Sequence, residues 1–360
     1  DASIHALPRV GFVSADFCQH TVGLFVKDIL MALGQRWSVY VYHSRGLEDW
    51  VSKLIKTRCH WRSVVDMDDA ALAKQIRHDE IDILVDLSGH TAGSRLTVFA
   101  HRPAPVMVSW LGYFATTGLP YMDAALLDPW SMPANPSATF VEPLVSLPAG
   151  RFFYKPVPWA PKTVAAPPCV SRGYVTFGCF NNTAKINDAV IDLWARVLHT
   201  VPDSRLVLKW RTFNDATYRE RIEAAFVARG ITASRIECRG PGFHVDVLRE
   251  YADIDIALDP FPFTGGLTSC EALWMGVPVV TLPQSQVVSR QTYALLSAIG
   301  LPEWVADSPE EYVQVACKLA NDTASLAHMR TQLRAHMQSS TLMDIEAHVT
   351  GLQQALSDLG

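Results

Sequence analysis

Short β-branched runs alternate with longer segments of helical period along nearly the whole chain. That alternation is the pattern of parallel sheets covered by helices on both faces, so the expected fold class is α/β. In the first half, strands are expected over 10–13, 39–42, 83–87, 106–110 and 124–127, with helices over 22–33, 69–78 and 94–100. In the second half the strands fall at 174–180, 205–209, 235–239, 254–258 and 277–282. Their helices run over 188–200, 218–229, 245–252, 268–275 and 290–299. The helix after Asn187 shows the period best, because Ala189, Val190, Leu193, Trp194, Val197 and Leu198 share one face. Asn187 is a ready N-cap, and Pro202 closes the run. From Pro309 onward the pattern is helical.

Five prolines (Pro156, Pro158, Pro161, Pro167, Pro168) crowd residues 156–168, the densest such stretch, and read as a linker. With 360 residues, 49% of them hydrophobic, the chain is long enough for two cores. The expected organisation is a first Rossmann-like domain over 1–155, the linker, a second over 169–340, and a last helix over 341–360 that packs back on the first. Two such domains bind a ligand in a cleft facing the carboxyl ends of their strands.

Charge and cysteine usage narrow the function. The net charge is −5 and the 31 basic residues are scattered, so no stripe suited to a phosphate backbone exists and nucleic acid is not an expected partner. Seven cysteines, odd in number and widely spaced, form neither a C-x-x-C pair nor a zinc pattern. They read as reduced thiols of a cytoplasmic protein. Asp1 to Pro8 carry no leader pattern, and no stretch reaches the ~18 apolar residues of a membrane span.

The richest candidate chemistry lies in Asp259-Pro260-Phe261-Pro262-Phe263-Thr264-Gly265-Gly266-Leu267-Thr268-Ser269-Cys270-Glu271. A strand ends at Asp259, and the glycine pair leads into a helix whose free N–H groups and dipole suit a diphosphate. Glu271, one turn further in, is placed to accept from ribose hydroxyls. An ordinary capped helix, with Glu271 complementing the dipole, reads equally well from these residues. Phe180-Asn181-Asn182-Thr183-Ala184-Lys185 also joins a strand to a helix, and Lys185 there offers positive charge to a departing diphosphate. A surface lysine in a turn is the plainer alternative.

In the first half, Ser14-Ala15-Asp16-Phe17-Cys18-Gln19-His20 and Leu87-Ser88-Gly89-His90-Thr91 each put a histidine on a strand-end loop, as base or hydrogen-bond partner for an acceptor hydroxyl. Arg102-Pro103-Ala104-Pro105 and the glycine-bearing loop with Thr116-Thr117 flank the fourth strand; Arg102 reads equally as a pocket residue or a structural arginine. No Asp-x-Asp is placed to chelate a metal diphosphate, so a metal-independent reaction is expected.

Taken together, these segments resemble the catalytic region of the O-GlcNAc transferase and SPINDLY family of protein glycosyltransferases, in its bacterial form. The resemblance runs from Arg9 to about Asp322. It rests on Asp16-Phe17 with His20, Asp82 to Thr91, Arg102 to Pro105, Gly112-Tyr113 with Thr117-Gly118, Cys179 to Asn182 with Lys185, Leu258 to Pro278, and Ser289-Arg290. It implies the GT-B fold, two Rossmann-like domains facing a cleft, and inverting transfer of GlcNAc from UDP-GlcNAc to Ser or Thr of proteins. No cofactor is needed beyond the nucleotide sugar. The catalytic candidates are His20, His90 and Lys185; by this similarity Lys185 matches the diphosphate-binding lysine, Thr268 a phosphate-contacting threonine, Glu271 the acidic ribose ligand and His20 an active-site histidine. Asn182, Lys185, Gly265, Gly266, Leu267, Thr268, Glu271 and Arg290 would bind the nucleotide sugar, with Asp16, Thr117 and Arg102 in the acceptor and sugar pocket. The alternatives are a GDP-fucose-dependent protein O-fucosyltransferase of SPINDLY type, a sugar-nucleotide epimerase, and a non-catalytic nucleotide-binding module.

The chain departs from the best-known members in three ways. It reads Gly265-Gly266-Leu267-Thr268 where they read Gly-His-Thr-Thr or Gly-Thr-Thr-Thr. The family's base-stacking histidine falls at Val247, with His244 one turn earlier. The tetratricopeptide array expected ahead of this region does not form part of the sequence.

Overall fold

The computed structural model describes residues 7–360. The stretch from Asp1 to Ala6, most of the segment read as lacking a leader, lies outside the described residues. Two compact units emerge: residues up to Lys155 together with Thr341–Gly360, and Pro156–Ser340. The proline-rich residues 156–168 thus belong to the second unit, where Arg334 donates to the carbonyls of Pro161 (2.8 Å) and Lys162 (2.7 Å).

The first unit is one seven-stranded parallel sheet built from β1 (Arg9–Ser14), β2 (Ser38–His43), β3 (His60–Ser63), β4 (Ile83–Asp86), β5 (Val106–Trp110), β6 (Ala124–Leu127) and β7 (Leu144–Ser146). Its order is β3-β2-β1-β4-β5-β6-β7. β1, β4, β5 and β6 are almost wholly apolar and buried, as strands covered by helices on both faces must be. Val13, Tyr42, Leu72, Ile76, Leu84, Phe99 and Met107 share one core cluster. The last helix, Ile345–Ser357, belongs to this unit, and Arg36 fastens it through Gln353 (3.0 Å), Thr350 (3.3 Å) and Glu346.

The second unit holds a five-stranded parallel sheet of β8 (Thr176–Cys179), β9 (Arg205–Lys209), β10 (Ile236–Arg239), β11 (Ile256–Leu258) and β12 (Val279–Val280), ordered β10-β9-β8-β11-β12. The helix Asp188–Thr200 buries Val190, Leu193, Trp194, Val197 and Leu198, and Asn187 caps it by accepting from the Val190 amide at 3.0 Å. Two strands, β3 and β7, were not expected. Both are sheet edges, where one side faces no neighbouring strand and the apolar run that marks an inner strand is lost. Conversely, the strand expected over 277–282 keeps only Val279–Val280. Among the described residues, no helix is long and apolar enough to cross a membrane.

Candidate active site

Open parallel sheets bind ligands outside the carboxyl ends of their strands, where the strand order reverses. In the second unit that reversal lies between β8 and β11. β8 delivers Phe180, Asn181 and Asn182 and then a tight turn, Thr183–Lys185. Lys185 Nζ donates to Asn181 Oδ1 at 3.0 Å and to the Thr264 carbonyl at 2.8 Å, and lies 4.4 Å from the centre of the Phe263 ring. Burial pushes its pKa down to about 8, against the opposing pull of the Asp259 charge. The same Asn181 oxygen accepts from Thr268 Oγ1 at 2.9 Å. One amide oxygen therefore gathers a cation and a hydroxyl from two different strand-end loops.

Asp259, fully buried just past β11, shapes the second of those loops by accepting from the Gly265 amide and from Thr281 Oγ1, both at 2.7 Å. Burial pushes its carboxyl pKa up, while hydrogen bonds from Thr292, Thr281 and Gly265 and the Lys185 charge hold it back. The chain is tight here: a Cβ on Gly265 would fall 2.2 Å from Ser269 Oγ, and one on Gly266 2.9 Å from Gln291 Oε1. Helix Leu267–Trp274 then begins with Gly266 as N-cap and no side-chain cap. Its leading amides point to an anion site, with Lys185 and Thr268 alongside.

Glu271, buried on this helix, has its Oε1 2.6 Å from His244 Nε2. That hydrogen bond lifts the His244 pKa against the effect of burial, and Trp159 packs edge-on against the ring at 5.9 Å. The imidazole beside the acidic ribose candidate is thus His244, one turn before Val247. Asn182 turns away from this cluster and accepts from the Ala184 amide at 3.0 Å, capping the turn that carries Lys185. Arg290 donates to the Gln284 carbonyl at 3.2 Å and stacks on Tyr293.

In the first unit the order reverses between β1 and β4, and Ser14 Oγ and Ser88 Oγ, 3.4 Å apart, join the two loops that leave them. His20 caps helix Thr21–Leu33, its Nδ1 accepting from the Val22 amide at 3.3 Å; Asp16 Oδ2 lies 3.6 Å from the same nitrogen and Arg45 3.5 Å from the other carboxylate oxygen. With Nδ1 engaged as an acceptor, the neutral ring carries its proton on Nε2 and presents a donor. His90 is held the other way. Its Nε2 lies 2.7 Å from the Thr117 carbonyl, which can only accept, so Nδ1 is left with the lone pair. Tyr113 meets the ring edge-on at 5.4 Å.

The His90 loop is closely fitted. Asp86, fully buried with its pKa pushed up to about 6 by burial, accepts from the amides of Ser88 (3.2 Å) and Gly89 (2.7 Å). Gly89 sits at φ 52°, where a Cβ would meet Tyr113 Cβ at 2.3 Å. Arg102 stands apart. It precedes β5, at the amino-terminal end of a sheet whose histidine loops leave carboxyl ends, and its guanidinium donates to the carbonyls of Tyr121 (2.9 Å) and Pro105 (3.2 Å). Of its two sequence readings the structure favours the architectural one. Asn181, Asp259 and His244 were not among the expected site residues. Asn181 and Asp259 sit inside the motifs that were singled out; what separates Asn181 from Asn182 is the direction each side chain takes after β8.

The model of glycosyl transferase family 41 matches residues 3–155 and 170–352. The chain belongs to this family. Barley supplies a relative, a probable UDP-N-acetylglucosamine–peptide N-acetylglucosaminyltransferase SPINDLY, 38% identical over 354 residues, which are 96% of this chain and 37% of that protein. The chain thus spans less than half the length of such relatives. A lysine-to-methionine variant of the Thermobaculum terrenum O-GlcNAc transferase superposes with a TM-score of 0.93 at 37% identity, over 98% of this chain and 67% of that one. The lipopolysaccharide galactosyltransferase WaaB, at 12% identity and a TM-score of 0.62, shares the fold alone. The family 41 fold here is GT-B, two Rossmann-like units with C-terminal helices.

Proposed function

We propose that this chain is the catalytic region of an inverting protein O-glycosyltransferase that moves GlcNAc from UDP-GlcNAc to Ser or Thr hydroxyls. The observation that carries the reading is the convergence of Lys185 and Thr268 on Asn181 beside an uncapped helix start. That is a site for the diphosphate of a nucleotide sugar, and Glu271 stands on the same helix for the ribose. The names borne by the barley and Thermobaculum relatives supply the sugar and the kind of acceptor.

In the reaction the acceptor oxygen forms its bond to the anomeric carbon as the bond from that carbon to the diphosphate breaks, the electron pair leaving with the phosphate oxygen. Lys185 and the helix amides take up the charge that develops there, so the chemistry asks for no metal. The acceptor proton passes to a base, and His90 is suited to it, because its Nδ1 holds a lone pair while His20 offers a donor. Binding of the sugar nucleotide falls to the loops after β8 and β11. Seven free thiols support a cytoplasmic location. Acceptor choice we assign to sequence beyond this region.

The test is incubation of the chain with radiolabelled UDP-GlcNAc and cell lysate, beside calorimetric titration with UDP and with GDP. Labelled protein together with UDP binding is expected. Binding of GDP alone overturns the donor, donor conversion without acceptor points to an epimerase, and binding without labelled protein points to a regulatory module.

A further inference from the structure

Glu142 is a buried carboxylate, about 3% exposed, and lies in the stretch that leads into β7. Both its oxygens are spent on one short loop. Oε2 accepts from Thr116 Oγ1 at 2.6 Å, and Oε1 accepts from the Thr117 amide at 2.6 Å and from Thr117 Oγ1. Its backbone neighbour joins in, the Val141 amide donating to Thr116 Oγ1 at 3.2 Å. The two threonines reinforce the loop from within, since Thr116 Oγ1 accepts from the Gly118 amide at 3.0 Å and Thr117 Oγ1 from the Leu119 amide at 3.2 Å. No lysine or arginine is paired with this carboxylate among the described ion pairs; hydrogen-bond donors alone hold it. Such an arrangement is costly to build, because a buried charge needs every lone pair it can satisfy.

The loop so clamped carries the carbonyl that fixes His90. Thr117 contributes its amide and hydroxyl to Glu142 and its carbonyl to His90 Nε2 at 2.7 Å. We infer that Glu142 is a positioning residue: by locking Thr116 and Thr117 it holds the Thr117 carbonyl on His90 and thereby keeps the imidazole with its proton on Nε2 and its lone pair on Nδ1. Glu142 does not touch the substrate; it acts through Thr117. The inference rests on the reading of His90 as the proton acceptor only for its effect on rate, and not for its effect on the tautomer.

Glutamine at this position keeps the shape and replaces an acceptor with an amide N–H, which must face one of the donors it served. The loop then shifts and His90 loses its fixed partner. Two measurements on the whole chain test this. In the two-bond proton–nitrogen spectrum of the histidine-labelled protein, with His90 assigned by its loss in His90→Gln, the wild type is expected to show the Nε2–H tautomer and Glu142→Gln a mixture. In transfer of labelled GlcNAc to lysate protein, Glu142→Gln is expected to lower kcat roughly tenfold to a hundredfold, as a misplaced catalytic group does, with KM for UDP-GlcNAc unchanged. Thr116→Val, which at a partly exposed site removes one donor to Glu142 together with the acceptor of the Gly118 and Val141 amides but leaves both Thr117 donors in place, is expected to move both readouts the same way by less, and it serves if the glutamine variant does not fold.

An unchanged tautomer in both variants overturns the clamp. If the tautomer shifts and His90→Gln retains full transfer, the role of His90 falls while the clamp stands. A fall in kcat accompanied by an equal rise in KM, with the tautomer intact, makes Glu142 a structural residue only.

Discussion

His244 Nε2 sits 2.6 Å from Glu271 Oε1, so the carboxylate best placed for a ribose already has a partner within the protein. A ribose hydroxyl must share or displace that partner. The hydrogen bond to Glu271 raises the His244 pKa above its ordinary 6.5. Its stabilising contribution is therefore fully present below pH 6.5 and is lost as pH rises through the raised value. UDP affinity is expected to improve over the same window, as the imidazole gives up its hold on the carboxylate. In Glu271→Gln the His244 pKa falls back, and UDP binding weakens about tenfold to a hundredfold, the worth of a charged hydrogen bond. Histidine NMR titration and calorimetry read the two effects.

Lys185 sets the opposite limb. Its folded pKa of about 8 lies below the ordinary lysine value of 10.5, so the unfolded chain binds more protons between those values and stability gains with rising pH across that window. Thermal melts from pH 7 to 10 should show wild type gaining on Lys185→Met as pH rises; a gap that stays constant would refute the buried charge. Diphosphate binding shows the reverse trend, since it needs the ammonium. UDP affinity is expected to fall above about pH 8 in wild type and to be flat, and weaker, in Lys185→Met. Transfer by that variant should drop by a factor of hundreds or more, the usual cost of removing a group that stabilises developing charge.

Much of this architecture was legible because inner strands of a parallel sheet are buried on both faces. Ala124–Leu127 is apolar throughout and Val106–Trp110 is interrupted only by the buried Ser109, and both stand where the pattern put them. The edge strand His60–Ser63, with its imidazole, indole and guanidinium, carries no such run. The site divides along a similar line. Lys185, Gly265 and Thr268 lie in motifs whose residue types already suggest phosphate chemistry. Asn181 and Asn182 are chemically identical, and only the turn Thr183–Lys185 decides that one bridges the site while the other caps. Glu142 meets Thr116 and Thr117 across about 25 residues of chain, a separation no local pattern encodes.

Arg102 separates architecture from chemistry in the first unit. It holds φ 41°, a left-handed conformation that costs a residue with a side chain, and spends its guanidinium on the carbonyls of Tyr121 and Pro105. Arg102→Met is expected to lower stability by about 1 kcal/mol, the usual worth of such hydrogen bonds, and to leave the rate of GlcNAc transfer unchanged. Chemical denaturation and a GlcNAc-transfer assay on the same sample decide between the two readings: slower transfer at unchanged stability would return Arg102 to the acceptor and sugar pocket.

The two glycines before helix Leu267–Trp274 are not equivalent, and the difference can be measured. A methyl on Gly265 would lie 2.2 Å from Ser269 Oγ and 3.1 Å from Asp259 Oδ1, inside a turn that Asp259 holds through the Gly265 amide and that Thr292 secures by donating to the Gly265 carbonyl at 3.0 Å. Ser269 cannot swing aside freely, because its hydroxyl is 2.8 Å from Thr292 Oγ1. The backbone must move instead, and with it the leading amides of the helix. On Gly266 the nearest atom is Gln291 Oε1 at 2.9 Å, the far end of a flexible side chain whose Nε2 bonds to the carbonyls of Thr264 and Val288 do not use that oxygen. Gly265→Ala is therefore expected to lose UDP binding by about a hundredfold or more, on the order of the 1–3 kcal/mol typical of overpacking plus a displaced hydrogen bond. Gly266→Ala should weaken binding only a few-fold. Calorimetric titration of both variants with UDP tests the ranking, and equal losses would show that the anion is held by side chains rather than by the shape of this turn.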